Sequence, residues 1–330
     1  MIISRTPFRI SFIGGGSDYT EFTSKHEGCV LSTSIDKYMY ILAHPYTDIN
    51  RIQVKHSQPE CVETVDQLKH PILKSILQFL GIGKGIEISS FADVSTGTGL
   101  GSTASFTVGL LHCLNSYLNN QVTKEYLAKT ASTIEIDELK QPYGMQDQYA
   151  ASFGGLNFIT FKTDRSVIVE PITISKARKN ELENNLLIFY PGSSRSASSI
   201  LVKQKQIMDQ DENTFHALVE MTELVRESKN ILFSGDLDDF GKIMHQGWKL
   251  KKNLAPNITN EYIDNLYKKA ITRGGALGGK LLGAGGSGYL LFYCPEERQA
   301  TLRSVLSDLP ELNYQFESAG SNIIFYDNNM

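Results

Sequence analysis

No long apolar run occurs in this sequence. LLIFY at 186–190 and YLLFYC at 289–294 are of buried-strand length, far short of the roughly 18 to 20 residues that cross a bilayer, so no membrane partner is expected. An excess of positive charge is also missing: 32 Lys and Arg face 36 Asp and Glu, for a net charge of -4. Nothing here makes a broad field for nucleic acid, and any anion must be met by local groups. Cysteine is scarce, and Cys29, Cys61, Cys113 and Cys294 form no C-x-x-C pair. That argues against a zinc site or a disulfide framework and fits reduced thiols in the cytoplasm. The seven histidines form no H-x-x-x-H or H-E-x-x-H group, which removes the usual zinc-enzyme signature. The opening MIISRTPFRISFIGGG is broken by Arg5 and Arg9 and is not read as a signal peptide.

What is present is an ordinary globular composition, 330 residues with 41% hydrophobic content, enough for two medium domains. The runs RISFI, KYMYILAHPY, RIQVKH and GIEISSF, rich in β-branched and aromatic residues, predict strands. Ala104, Val108, Leu111, Leu114 and Leu118 recur at helical spacing and predict a helix over 102–118 with one buried stripe. A second helix is predicted from Thr123, as N-cap, to Leu139, ending before Pro142 and Gly144. Strands return at LNFITF, VIVEPITI, LLIFY, YLLFYC and NIIFYD, with helices around Leu218, Met221 and Val225, over 237–252 and over 261–273. The pattern predicts two interleaved α+β domains, 1–180 and 181–330.

The stretch DVSTGTGLGSTASF (93–106) sets Gly97, Gly99 and Gly101 between a strand and a helix. Such glycines let the backbone approach a ligand, and the free N–H groups and dipole of the helix start favour a phosphate. The alternative is a tight turn capped by Ser102. The lysine of G-x-x-x-x-G-K-[ST] is missing, which excludes a Walker-type site, while the Ser102 and Thr103 hydroxyls remain as Mg²⁺ ligands. GAGGSG (283–288) formally matches G-x-G-x-x-G, but a helix and a glycine-rich run precede it and a strand follows, against the order a dinucleotide fold needs. It reads as a turn whose bare backbone lies against another element or a ligand.

Glu135 and Asp147 would stand about 18 Å apart on one continuous helix. Pro142 and Gly144 break that helix, so the chain can fold back and bring both carboxylates to one site, one for a metal and one to take a proton from an alcohol. Otherwise each is a solvated helix charge. In PFRISFIGGGSDY, Arg9 lies in an apolar strand and needs a partner, either at a site or in a surface acid. Asp18, after three glycines, can accept hydrogen bonds from ligand hydroxyls. Arg195 in PGSSRSASS and the basic KLKKN (249–253) either meet a second phosphate or serve as a helix start and a solvated helix face.

In chain order these stretches resemble the GHMP kinase superfamily over nearly the whole length: PFRISFIGGGSDY, DVSTGTGLGSTAS, IEIDELKQPYGMQDQ and KLLGAGGSG. Within it, RTPFRISFIGGGSDY, SIDKYMY, PYGMQDQYAASFGG, YPGSSRSAS and GGKLLGAGGSGYLLF are most similar to the D-glycero-D-manno-heptose 7-phosphate kinases, which act at C1 on the route to GDP-heptose. Fucokinase-like enzymes are near neighbours. Galactokinases carry G-E-H-T-D-Y where this chain has G-G-G-S-D-Y, so galactose is not the expected substrate.

The resemblance implies an α+β, two-domain GHMP kinase fold, with a ribosomal protein S5 domain 2-like N-terminal domain and a ferredoxin-like C-terminal domain. ATP, Mg²⁺ and a sugar phosphate would meet in the cleft between them. It further implies that the backbone of Gly97, Thr98, Gly99, Leu100, Gly101 and Ser102 cradles phosphates, and that Thr103, with Ser102 and Glu135, holds Mg²⁺. Arg9 would add charge at the transferring phosphoryl group, Asp147 would take the anomeric proton, and Asp18, with Gly15, Gly16 and Ser17, would orient the sugar. Gly285 and Gly286 would close over the substrate. Arg195 and Lys280 are chosen by neighbourhood for the sugar's own phosphate. A homodimer is compatible with the resemblance. A non-catalytic ATP and sugar-binding regulator is the other class, and the joint presence of Arg9, Glu135 and Asp147 favours an enzyme.

Overall fold

The computed structural model describes residues 1–192 and 198–327. Two long strands organise the first half, β1 (Ile2–Ile13) and β2 (Gly28–Pro45), joined through the short helix α1 (Thr20–Thr23). They pair antiparallel from Ile2 opposite Ala43 to Ile13 opposite Leu31, with register shifts after Pro7 and Ser11. The strands β3 (Ile52–Lys55), β4 (Glu60–Val62) and β5 (Ile86–Ala92), with α2 (Pro71–Phe79) between β4 and β5, extend the sheet in the order β1-β2-β5-β3-β4. At eighteen residues β2 outruns any one neighbour. Its far half pairs with β5, and its near half pairs with β6 (Leu156–Phe161), which carries β7 (Val167–Pro171).

Three helices lie on this sheet: α3 (Ser102–Tyr117), α4 (Lys124–Ser132) and α5 (Gln146–Phe153). The expected single buried stripe on α3 understates its burial, because β1 and β2 cover one side and α2, α4 and α5 the others. Thr123 caps α4 as expected, its hydroxyl accepting from the Tyr126 N–H at 3.1 Å. The predicted helical span to Leu139 forms, with Leu139 as its C-cap, but it is not α-helical throughout. After Ser132 the chain widens into a π-helical turn, Thr133–Glu138, the one-residue insertion that often marks a functional site.

The second half supplies α6 (Lys176–Asn184), β8 (Leu186–Phe189), α7 (Ser198–Gln210), α8 (Glu212–Ser234), α9 (Leu237–Lys252), α10 (Glu261–Thr272), β9 (Gly278–Leu281), β10 (Leu290–Tyr293) and α11 (Gln299–Val305). An antiparallel sheet, β8-β10-β9, is extended at its edge by a bridge between Phe189 and Glu311. The glycine-rich run before GAGGSG is therefore itself a strand, and the turn joins two antiparallel neighbours. The chain then returns to the first sheet: β11 (Phe316–Glu317) pairs with β2, and β12 (Asn322–Tyr326) pairs with β1. Phe12 on β1 meets Phe240 on α9 edge to face at 5.4 Å, one contact of the apolar core that spans both halves. No helix among the described residues is long and apolar enough to cross a membrane.

Candidate active site

A cleft of about 500 Å³ opens where β1, the loop after β5, the start of α3 and the β9–β10 turn converge. The loop after β5 reaches α3 through Gly101 at φ +78°, and no side chain caps the helix start. Its first-turn N–H groups are left for a ligand, since they have no intrahelical acceptor. Ser102 begins the helix instead of capping it.

The glycine turn lies backbone to backbone on this loop. At Gly99 (φ +84°) a Cβ would stand 2.4 Å from the Leu282 carbonyl oxygen, and at Gly283 one would stand 2.5 Å from the Gly99 Cα. The Tyr289 N–H donates to the Thr98 carbonyl at 3.1 Å. Gly97, Gly99, Gly101, Ser102 and Thr103 line the cleft, whereas Thr98 and Leu100 are buried behind it. From the turn, Gly283, Ala284 and Ser287 line the cleft. Gly285 and Gly286, expected at the substrate, instead pack on Ile258 and Ile200, and the Gly286 N–H is spent on the Ile258 carbonyl at 2.9 Å.

Arg9 leaves β1 into the cleft with 5% of its surface exposed. Its partner is Asp147 in the first turn of α5: Nε donates to Oδ1 at 2.7 Å and Nη2 to Oδ2 at 2.6 Å, while Nη1 donates to the Gly99 carbonyl at 2.7 Å. This fork-on-carboxylate geometry is the strong form of the pair. One arginine thus ties the acid to the glycine loop.

Glu135 sits on the π-helical turn and is fully buried. Its Oε2 accepts from Gln148 Nε2 at 2.8 Å, while Oε1 is buried with no hydrogen-bond partner. Burial pushes its carboxyl up to about 7. An orphaned carboxylate oxygen in such a place calls for a cation or a proton. With the Ser102 and Thr103 hydroxyls lining the same cleft, the donor set is all oxygen and fits one hard cation such as Mg²⁺. No group of three or more His, Cys, Asp and Glu forms among the described residues, so phosphate oxygens and water would complete the shell, as is usual for Mg²⁺.

Asp18 is buried at the other end, accepting from the Gly16 N–H at 3.0 Å, the Gln146 N–H at 3.1 Å and the Gln146 side-chain amide at 3.1 Å. Burial raises its pKa. It fits only because residue 144 is glycine, where a Cβ would fall 2.0 Å from Oδ2. Gly15 and Gly16 line the cleft beside it. Ser17, expected at the sugar, is turned away: its hydroxyl bonds to the Gly14 and Cys29 carbonyls and holds the start of β2.

Two buried lysines also face the cleft. Lys280, on β9, is 4% exposed and has no hydrogen bond or ion pair among the described residues. Burial drives its pKa well below the usual lysine value. Lys251, near the end of α9, is 6% exposed and donates to the Gly283 carbonyl at 2.5 Å and the Leu281 carbonyl at 3.4 Å. Burial lowers its ammonium to about 8. The basic run 249–253 had two readings, a phosphate contact or a solvated face; Lys251, at least, is not solvated. The signal was in the spacing, since Phe240, Met244, Trp248 and Lys251 share the buried stripe of α9. Arg195 lies outside the described residues.

Residues 67–155 match the family described as GHMP kinases N terminal domain, and residues 221–315 match GHMP kinases C terminal, together more than half of the chain. The D-glycero-alpha-D-manno-heptose 7-phosphate kinase of Campylobacter jejuni subsp. jejuni is 29% identical over 316 residues, 92% of this chain and 93% of that one. The galactokinase of Pyrococcus furiosus is 28% identical over 337 residues, 91% of each. The solved structure of a D-glycero-D-manno-heptose 1-phosphate kinase from Bacteroides thetaiotaomicron is alike in fold, with a TM-score of 0.80 at 22% identity over 99% of this chain and 100% of that one.

Proposed function

The chain belongs to the GHMP kinase superfamily, and on that premise we propose that it transfers the terminal phosphoryl group of ATP to the anomeric hydroxyl of a sugar phosphate, D-glycero-D-manno-heptose 7-phosphate. The observation that carries this reading is the Arg9–Asp147 pair lying beside the uncapped start of α3 in one cleft. A base and an anion-binding helix end so close together are what direct transfer to an alcohol requires.

The backbone from Gly97 to Ser102 receives the nucleotide's phosphates. Ser102, Thr103 and Glu135 would hold Mg²⁺, which would supply positive charge to offset that of the phosphates. Asp147 accepts the proton of the attacking hydroxyl, and Arg9 holds that carboxylate in place while keeping N–H groups to spare for the phosphoryl oxygens. Asp18, itself fixed by Gln146, orients the sugar's hydroxyls. Residues 1–180, joined by the returning strands β11 and β12, form the nucleotide-binding part, and the rest of 181–330 the part that covers it. The likeness to the C. jejuni enzyme supports the heptose phosphate as acceptor, as does buried Lys280, which faces the cleft with no hydrogen bond or ion pair among the described residues.

The test is ADP release with ATP and Mg²⁺ over heptose 7-phosphate, fucose and mannose. Turnover with the heptose phosphate is the expected result. Turnover with fucose alone would make the acceptor an unphosphorylated sugar, and binding without ADP release from any sugar would make the chain a regulator.

A further inference from the structure

We propose that Lys251 is a catalytic residue of this site, its ammonium contacting the phosphoryl group in transfer and taking the place of the lysine that the glycine loop lacks. This rests on the kinase reading above. The glycine loop contains no lysine between Gly97 and Ser105, and the fold brings one to it from the other half of the chain.

The placement is specific. Lys251 Nζ bonds to the Gly283 carbonyl, and Gly283 is the residue whose backbone abuts Gly99. Two of the three ammonium donors are directed at the carbonyls of 281 and 283, and the side chain lines the cleft shared with Arg9 and Asp147. A third donor is therefore free for a ligand. No carboxylate lies within ion-pair distance of Lys251 among the described residues; the carbonyls of 281 and 283 are its hydrogen-bond partners, while Asp147 and Asp18 act on it only from farther off and Arg9 opposes them. An ammonium buried this far is costly without an anion, and an anion at the phosphate loop meets that need. Lys280 is the second cation, on the neighbouring strand, and remains for the acceptor side.

In the step itself, a bond forms from the acceptor oxygen to the terminal phosphorus of ATP. The bond from that phosphorus to the bridging oxygen breaks, and ADP leaves with the electron pair. The acceptor's proton goes to Asp147. Lys251 exchanges no proton and contributes charge where the three transferring oxygens carry it.

The phosphate chemistry could equally come from the acceptor's own phosphate, and the experiment separates the two. Lys251→Gln keeps a donor for the Gly283 carbonyl and removes the charge; Lys251→Met removes both, so either folded variant gives a reading. Affinity for ADP with Mg²⁺ is measured alone and with aluminium fluoride, which mimics the phosphoryl group in flight, together with kcat and KM on the best acceptor. The expected result for both variants is ADP affinity within about twofold of wild type, loss of most of the tightening by aluminium fluoride, and a kcat lower by about 10² to 10³ with KM little changed. A Lys251→Gln protein with wild-type kcat and wild-type fluoride tightening would overturn the proposal and leave Lys251 as a tether for the turn. A loss confined to KM for a phosphorylated acceptor would also overturn it, assigning Lys251 to that phosphate. Failure of the kinase reading looks different: the wild-type protein itself would turn over no acceptor.

Discussion

Alanine at Gly97 and at Gly99 should separate two properties that the glycine loop is proposed to combine, a backbone contact and a phosphate seat. Both residues have left-handed backbones, φ +77° and +84°, where an L side chain costs about 1–2 kcal/mol. Reduced freedom of the unfolded chain returns about 0.4–1 kcal/mol of that. At Gly97 nothing lies within 4 Å of the new Cβ, so the net loss is about 1 kcal/mol or less. At Gly99 the Leu282 carbonyl oxygen stands 2.4 Å away and must retreat by roughly 1 Å, an overpacking cost of about 1–3 kcal/mol, for about 2–4 kcal/mol in all. An unfolding entropy of about 2.1 cal/mol/K per residue over the chain gives roughly 1.4 °C per kcal/mol. Thermal scans of the ligand-free protein should therefore show a fall of about 3–6 °C for Gly99→Ala and about 1 °C for Gly97→Ala. ATP should report in the other direction for Gly97. Its Cβ would project into the open cleft where the proposed function puts the phosphates, raising KM for ATP by about tenfold, or about 1.4 kcal/mol. Equal thermal losses in the two variants would refute the backbone contact between loop and turn. Unchanged KM in Gly97→Ala would remove the phosphates from that loop.

Asp147→Asn should keep ATP affinity within about threefold and lose about 10² to 10⁴ in kcat, and retained turnover would take the base role from Asp147. Glu135→Gln should raise the Mg²⁺ concentration for half-maximal activity by about tenfold or more, read from a magnesium titration at fixed ATP; an unaltered titration counts against its ligand role. Burial lowers the pKa of His112 to about 4, its Nδ1 sitting 3.0 Å from Ser321 Oγ. The unfolded state then binds its proton first on acidification, so this contribution is complete above about 6.5 and is lost as pH falls toward 4. Urea midpoints of wild type should fall across that window by the equivalent of about 3 kcal/mol more than those of His112→Gln, and parallel curves would refute this.

What was legible in the sequence was local. The N-cap at Thr123, the strand-to-helix placement of the glycine loop and the spans of α9 and α10 each follow from neighbouring residues. The π-helical turn under Glu135 was not, because a widened helix is selected by the contacts around it, such as the Gln148 bond to Glu135, and not by propensity. Arg9 announced its need for a partner, yet Asp147 is 138 residues away, and only the folded sheet brings the two together. Lys251 was not singled out, because the run 249–253 was left between a phosphate contact and a solvated helix face, and only the β9–β10 turn, which covers that face of α9, picks out one lysine. Ser17 misled for the opposite reason: its glycine-rich setting suggested a ligand, and its hydroxyl serves β2.

The pairing of β12 with β1 ties residues 2–5 to residues 322–326. During translation β12 is made only after β1 and every element between them, so a growing chain carries a bare edge of N–H and C=O groups on β1 until residues 322–326 are made. Chains interrupted before Asn322 would keep that edge open as a template for one another, which makes truncated products, and not the full-length protein, the species prone to aggregate.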